Sequence, residues 1–118
     1  MKRHNFKKLK VWQAAMLLVK DIYDATRAFP KEELFSLTQQ IRRSAISIPS
    51  NIAEGCGRSA DAQLKQFLDI AQGSAFEVEC QLQIAAMLNY MEEDISTQLQ
   101  NRTCEIQKMI DGFKKRFT

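Results

Sequence analysis

Apolar side chains recur at alternating three- and four-residue spacing along almost the whole of this chain, and the rhythm breaks only three times. Leu9, Trp12, Met16, Val19, Tyr23 and Thr26 form one stripe, and Val11, Ala15, Leu18, Ile22 and Ala25 form a second beside it. Such spacing puts each set on one face of a helix and predicts a first helix from about Leu9 to Arg27. An apolar arc this wide needs neighbours on two sides. Phe29-Pro30 is the first break, because the residue before a proline is pushed out of the helical region.

Leu34, Leu37, Ile41, Ala45, Ile48 and Ile52 carry the stripe of a second predicted helix, from about Glu32 to Glu54. Pro49 lies inside it and should kink it by removing one backbone bond. Gly55-Cys56-Gly57 supplies flexible residues for its C-terminus. Ser59 is a good N-cap for a third helix, from Ala60 to about Tyr90. Its stripe is Leu64, Phe67, Leu68, Ala71, Ala75, Val78, Leu82 and Ala85, widened by Ile70, Ile84, Met87 and Met91. Glu92-Glu93-Asp94 makes the third break. Asp94 or Ser96 could cap a fourth helix reaching Phe117, with Ile95, Leu99, Ile106, Ile110, Phe113 and Phe117 inward.

With 118 residues, only four Gly and two Pro, the chain has little material for the many turns of a sandwich or barrel. Its length suits one domain, residues 1–118, with residues 1–8 as a basic arm. A third helix of about 45 Å at 1.5 Å per residue is too long for a compact ball of radius of gyration near 13.5 Å. Three short connections favour antiparallel neighbours. The expected fold is therefore all-α: an antiparallel up-down-up-down four-helix bundle.

The net charge is only +3, but it is unevenly spread. Residues 1–30 carry +5 and residues 59–94 carry −6, a segregation that points to electrostatic recognition of another molecule or of another copy. Alternating helix direction gathers the N-terminus, the 55–59 connection and the C-terminus at one end. Lys2, Arg3, Lys7, Lys8, Lys10, Arg58, Lys114, Lys115 and Arg116 converge there against Asp61 and Asp111, while Glu32, Glu33, Glu92, Glu93 and Asp94 mark the other end. Lys114-Lys115-Arg116 suits the negative end of a helix dipole and needs no ligand to explain it. Lys7, Lys8 and Lys10 approach a helix N-terminus, where the dipole disfavours cations, so helix stability does not account for them. A solvated arm or an anionic partner does.

Other chemistry finds little support. The single histidine, His4, excludes a His-based triad or a multi-His metal site. Glu77 and Glu79 point to different faces, and the Glu-x-x-His pairs of a bundle di-iron site are absent. Glu92-Glu93-Asp94 lacks an EF-hand pattern. Gly55-Cys56-Gly57-Arg58-Ser59 precedes a helix but lacks the strand and spacing of a phosphate loop. No catalytic residue, metal or cofactor is expected. Cys56, Cys80 and Cys104 are an odd number without C-x-x-C, as reduced thiols in a cytoplasmic protein would be, and no apolar run is long enough for a membrane span. Ser36, Gln40, Arg43, Ser47, Ser50 and Glu54 share one side of the second helix, with Arg42 beside them. They read either as a phosphate-binding seam or as small polar residues that let helices approach. Glu54 and Arg58 read as an ion pair across a tight turn.

Three stretches carry a family resemblance: Leu9-Lys10-Val11-Trp12-Gln13-Ala14-Ala15, then Phe29-Pro30-Lys31-Glu32-Glu33-Leu34-Phe35-Ser36-Leu37 running into Gln40-Ile41-Arg42-Arg43-Ser44-Ala45, and Ser47-Ile48-Pro49-Ser50-Asn51-Ile52-Ala53-Glu54-Gly55 with Gly57-Arg58. Phe67-Leu68-Asp69-Ile70-Ala71-Gln72-Gly73-Ser74 and Glu79 add to it. With them, nearly the whole chain resembles the four-helix-bundle proteins encoded within intervening sequences of bacterial large-subunit ribosomal RNA genes, the "S23 ribosomal protein" family. Pro49, Asn51, Glu54 and Gly55 are its motif residues. The resemblance implies a bundle without enzymatic activity, often a ring-shaped homopentamer. The accessory proteins of diversity-generating retroelements look similar, and imply RNA or DNA and a reverse transcriptase as partners. This chain departs from them in its mild charge and its acidic third helix. The expected function is a homo-oligomeric, non-enzymatic nucleic-acid adaptor using Arg42, Arg43 and the basic bundle end. The alternative is a structural oligomer or protein scaffold, in which the acidic third helix of one copy meets the basic first helix of the next.

Overall fold

A computed structural model describes residues 4–117. Four helices make up the bundle: α1 (Lys10–Thr26), α2 (Leu37–Cys56), α3 (Asp61–Met87) and α4 (Glu93–Lys115). Short 3-10 helices precede α1 at Phe6–Lys8 and α2 at Lys31–Glu33. Each helix packs on the next and α1 also packs on α4, while the diagonal pairs stay apart, so the four surround one core in chain order. The rod measures 44 × 23 × 20 Å with a radius of gyration of 14.7 Å.

The core is the second α1 stripe, Val11, Ala15, Leu18 and Ile22, set against Ile41, Ile48 and Ile52 of α2, Leu64, Leu68, Val78 and Leu82 of α3, and Ile106 and Ile110 of α4. Each fully buried Leu or Ile contributes about 1.5–3 kcal/mol. The other α1 stripe lies on the flank towards α2, where Met16 is 44% exposed. Four more residues expected inward are exposed: Leu34, Ile70, Met87 and Ile95, at 41–69%. Leu34 precedes the true start of α2, and Ile95 lies in the first turn of α4.

The helix ends differ from the sequence expectation for local reasons. α2 begins at Leu37 rather than Glu32, because the Glu33 carboxylate accepts bonds from the Ser36 hydroxyl (2.6 Å) and the Leu37 amide (3.3 Å). That competition holds Ser36 out of the helix, at φ −127° and ψ −104°. α3 ends earlier than Tyr90, since Asn89 takes a left-handed φ of 63° and the Tyr90 amide bonds back to the Ala85 carbonyl at 2.9 Å. Ala60 rather than Ser59 is the N-cap of α3, and Glu92 that of α4, neither with a side-chain bond. Ser96 is instead fully buried inside α4 and donates to the Leu82 carbonyl at 2.8 Å.

α2 runs unbroken through Pro49. Here Asn51 Nδ2 donates to both the carbonyl (2.8 Å) and the hydroxyl (2.9 Å) of Ser47, and the Ser74 hydroxyl donates to Ser47 Oγ at 2.8 Å. This ladder ties α2 to α3. Gly55 is a buried helical residue, not a flexible terminus. A Cβ there would lie 2.9 Å from Leu64 Cδ1 and 3.0 Å from Phe67 Cβ, so its missing side chain is what lets the two helices close.

Candidate nucleic-acid interface

The first and last described residues and the α2–α3 connection share one end of the rod. The His4 ring packs edge-on against Phe113 and Phe117, with centroids 5.7 and 5.3 Å away. Phe6 packs on Trp12 at 5.2 Å, and Gln13 Nε2 donates to the Lys7 carbonyl at 2.8 Å. Of the expected basic arm, Lys2 and Arg3 lie outside the described residues, whereas residues from His4 onward fold back on the bundle. Lys7, Lys8 and Lys10 are exposed there. No carboxylate of the described residues lies within ion-pair distance of these three lysines.

The remaining basic side chains of this end are partly balanced. Arg58 pairs with Glu54 at 2.8 Å and stacks over the Phe67 ring at 4.8 Å. Lys114 bonds to Asp69, which holds its ammonium pKa above the ordinary value. Lys115 pairs with Asp111 at 3.2 Å, and Arg116 lies over Phe113 at 5.4 Å. Glu54 and Asp69 therefore belong to this pole together with the expected Asp61 and Asp111. All three ion pairs are solvent-exposed, so they lower the local field without strongly fixing the side chains.

Arg42 and Arg43 lie apart from this pole, near the N-terminal end of α2. Arg42 Nε donates to Thr26 Oγ1 at 2.9 Å and its guanidinium stacks on Tyr23 at 4.5 Å. Arg43 is exposed. The far end is closed by Tyr90, whose hydroxyl donates to Glu33 Oε2 at 3.0 Å and whose ring lies 5.7 Å from Phe29. Sequence reasoning missed Glu33 as this junction, because its three donors come from two separate connections.

Burial pushes the Cys56 thiol pKa up, and burial followed by a hydrogen bond to Glu79 does the same for Cys104, so neither is primed as a nucleophile. Among the described residues, no group of three or more His, Cys, Asp or Glu side chains is placed to hold a metal ion. Nor is any helix among them long and apolar enough to cross a membrane.

With the bundle and its poles in place, comparison with known proteins identifies the family. The model of the 23S rRNA-intervening sequence proteins matches residues 7–112. The chain belongs to that family. A Bacteroides thetaiotaomicron protein of unknown function from the S23 ribosomal protein family has a similar crystal structure, with a TM-score of 0.82. The two are 24% identical over 89% of this chain and 98% of the other, a likeness that concerns the fold. No curated protein matches the chain. For an intervening-sequence family member, the Ser47–Gly55 run has a structural role here: it builds the α2–α3 contact through Ser47, Asn51 and Gly55.

Proposed function

We propose that this chain is a non-enzymatic, homo-oligomeric nucleic-acid-binding adaptor of the cytoplasm, with five copies the favoured number, and that its basic pole is the surface that meets phosphate. The observation that carries the reading is the exposure of Lys7, Lys8 and Lys10 beside the Arg58 and Lys114–Arg116 segments. Lysines that have no carboxylate partner among the described residues, at a helix N-terminus, cost local stability, and an anionic ligand offsets that cost. Oligomerisation is supported by an open apolar groove of about 380 Å³ between α1 and α2, where Trp12, Met16 and Val19 face Ile46, Pro49 and Ala53. Exposed apolar surface of this kind commonly marks an interface. Gathering several copies would multiply the basic poles on one side of a ring.

The exposed pairs Arg58–Glu54, Lys114–Asp69 and Lys115–Asp111 favour a second reading, a structural oligomer whose charges serve the bundle itself. Light scattering with titration of labelled RNA and DNA at two salt concentrations separates the two. The adaptor reading expects a mass several times 13.6 kDa and binding that falls steeply with salt. An oligomer that retains neither nucleic acid at low salt would leave only the structural reading.

A further inference from the structure

Phe35 has no role in the core or at the basic pole, yet among the described residues it is the most exposed of the large apolar side chains, at 83%. The turn that presents it is held in place. Glu33 accepts from Ser36, Leu37 and Tyr90, so the residues on both sides of Phe35 are pinned to α2 and to the α3–α4 connection. An outward aromatic ring on a turn held in this way contributes little to folding, and its natural use is as a contact surface. Beside it lies a pocket of about 340 Å³ lined by Tyr23, Leu34, Phe35, Gln39, Arg42 and Arg43. That volume is at the lower end of small-ligand pockets.

The charges of this pocket are unbalanced. Arg42 is held by a hydroxyl and an aromatic face, not by a carboxylate. Arg43 is exposed and has no carboxylate within ion-pair distance among the described residues. The acidic side chains of the adjoining segment are engaged elsewhere, Glu33 as above and Asp24 with Arg27 at 3.3 Å; exposed Glu32 is the exception. Two guanidinium groups next to an exposed ring suit an unpaired nucleotide, whose phosphate needs cations and whose base needs a flat apolar face. A duplex offers the phosphates but not the base face.

We infer that Phe35, Arg42 and Arg43 form a second contact for single-stranded nucleic acid, with a base stacked on Phe35 and a phosphate held by Arg43. It rests on the nucleic-acid reading proposed above and adds to it the class of strand that is recognised. Arg43 and Cys56, the last residue of α2, are thirteen residues apart, about 20 Å along the helix at 1.5 Å per residue, so one extended strand would run from this pocket to the basic pole.

The test is titration of labelled oligouridylate, and of the same strand annealed to oligoadenylate, with the wild type, F35A, F35W, R43Q and the K7E/K8E/K10E variant. F35A should weaken single-strand binding by about 5- to 160-fold, the range of one lost stacking contact, and leave the duplex affinity unchanged. F35W should restore it, and R43Q should make the salt slope shallower by about 0.7. Thermal stability and mass in solution should stay as in the wild type for F35A. Equal single-strand affinity of F35A and wild type, with binding still lost in K7E/K8E/K10E, would overturn this inference and leave the pole reading intact. Failure of the wild type to bind either RNA would overturn both. A reduced mass for F35A would make Phe35 a contact between copies instead.

Discussion

Gly55→Ala and Gly73→Ala make the same chemical change inside a helix, and the structure gives them opposite signs. Alanine is favoured over glycine in a helix interior by about 1 kcal/mol. At Gly73 a new Cβ meets nothing within 4 Å, so the whole gain is expressed. At Gly55 it would meet Leu64 Cδ1 at 2.9 Å, Phe67 Cβ at 3.0 Å and the Leu64 carbonyl at 3.3 Å. Leu64 is fully buried and cannot swing aside, and the other two atoms move only with α3 itself. Overpacking of this kind costs about 1–3 kcal/mol, and the upper part of that range applies where backbone must shift. The net expectation is destabilisation by about 1–2 kcal/mol for Gly55→Ala and stabilisation by about 1 kcal/mol for Gly73→Ala. An unfolding entropy of about 2.1 cal/mol/K per residue makes 1 kcal/mol equal to about 4 °C for a chain of this length. Melting at matched protein concentration should therefore place Gly55→Ala about 4–8 °C below the wild type and Gly73→Ala about 4 °C above it. A Gly55→Ala variant that melts at or above the wild type would refute the close-approach account of the Ser47–Gly55 run.

Three further outcomes are expected. Glu33 has its carboxyl pKa lowered below the usual 4.5 by bonds from Ser36, Tyr90 and Leu37, so its contribution is complete at neutral pH and is lost as pH falls through the acid range. Melting temperature followed from pH 7 downwards should drop less steeply in E33Q than in the wild type, and parallel curves would contradict the Glu33 junction. Ser96→Ala removes a buried bond to the Leu82 carbonyl and should cost about 1 kcal/mol in chemical denaturation; an unchanged midpoint would show that bond to be idle. A double-mutant cycle on Ser47 and Ser74 should give a coupling of about 0.5–1.5 kcal/mol, and additivity of the two alanines would mean that the α2–α3 ladder is not formed.

The helical rhythm made the four helices, their order and the rod shape legible, because a 3.6-residue period with three breaks admits few other folds. What it could not give was contact between remote side chains. Whether Glu33 would cap α2 or extend it depended on Tyr90 reaching the same carboxylate from the other connection. Gly55 read as a terminus because its real reason, the approach of Leu64 and Phe67, lies on another helix. The convergence of basic side chains followed from helix direction alone. Of its partial neutralisation the Glu54–Arg58 pair was legible, whereas pairing Lys114 with Asp69 requires the register of α3 against α4. Both stripes of α1 were visible, but choosing which is buried needed the position of α2.

The central claim is that the exposed lysines of the N-terminal segment contact phosphate, and its most direct measurement is the salt dependence of RNA affinity in wild type and K7E/K8E/K10E. The claim predicts a straight, steep fall of log affinity with log salt for the wild type, and a shallower slope with weaker binding for a variant that is still folded and of unchanged mass. Superimposable titrations of the two folded proteins would contradict it.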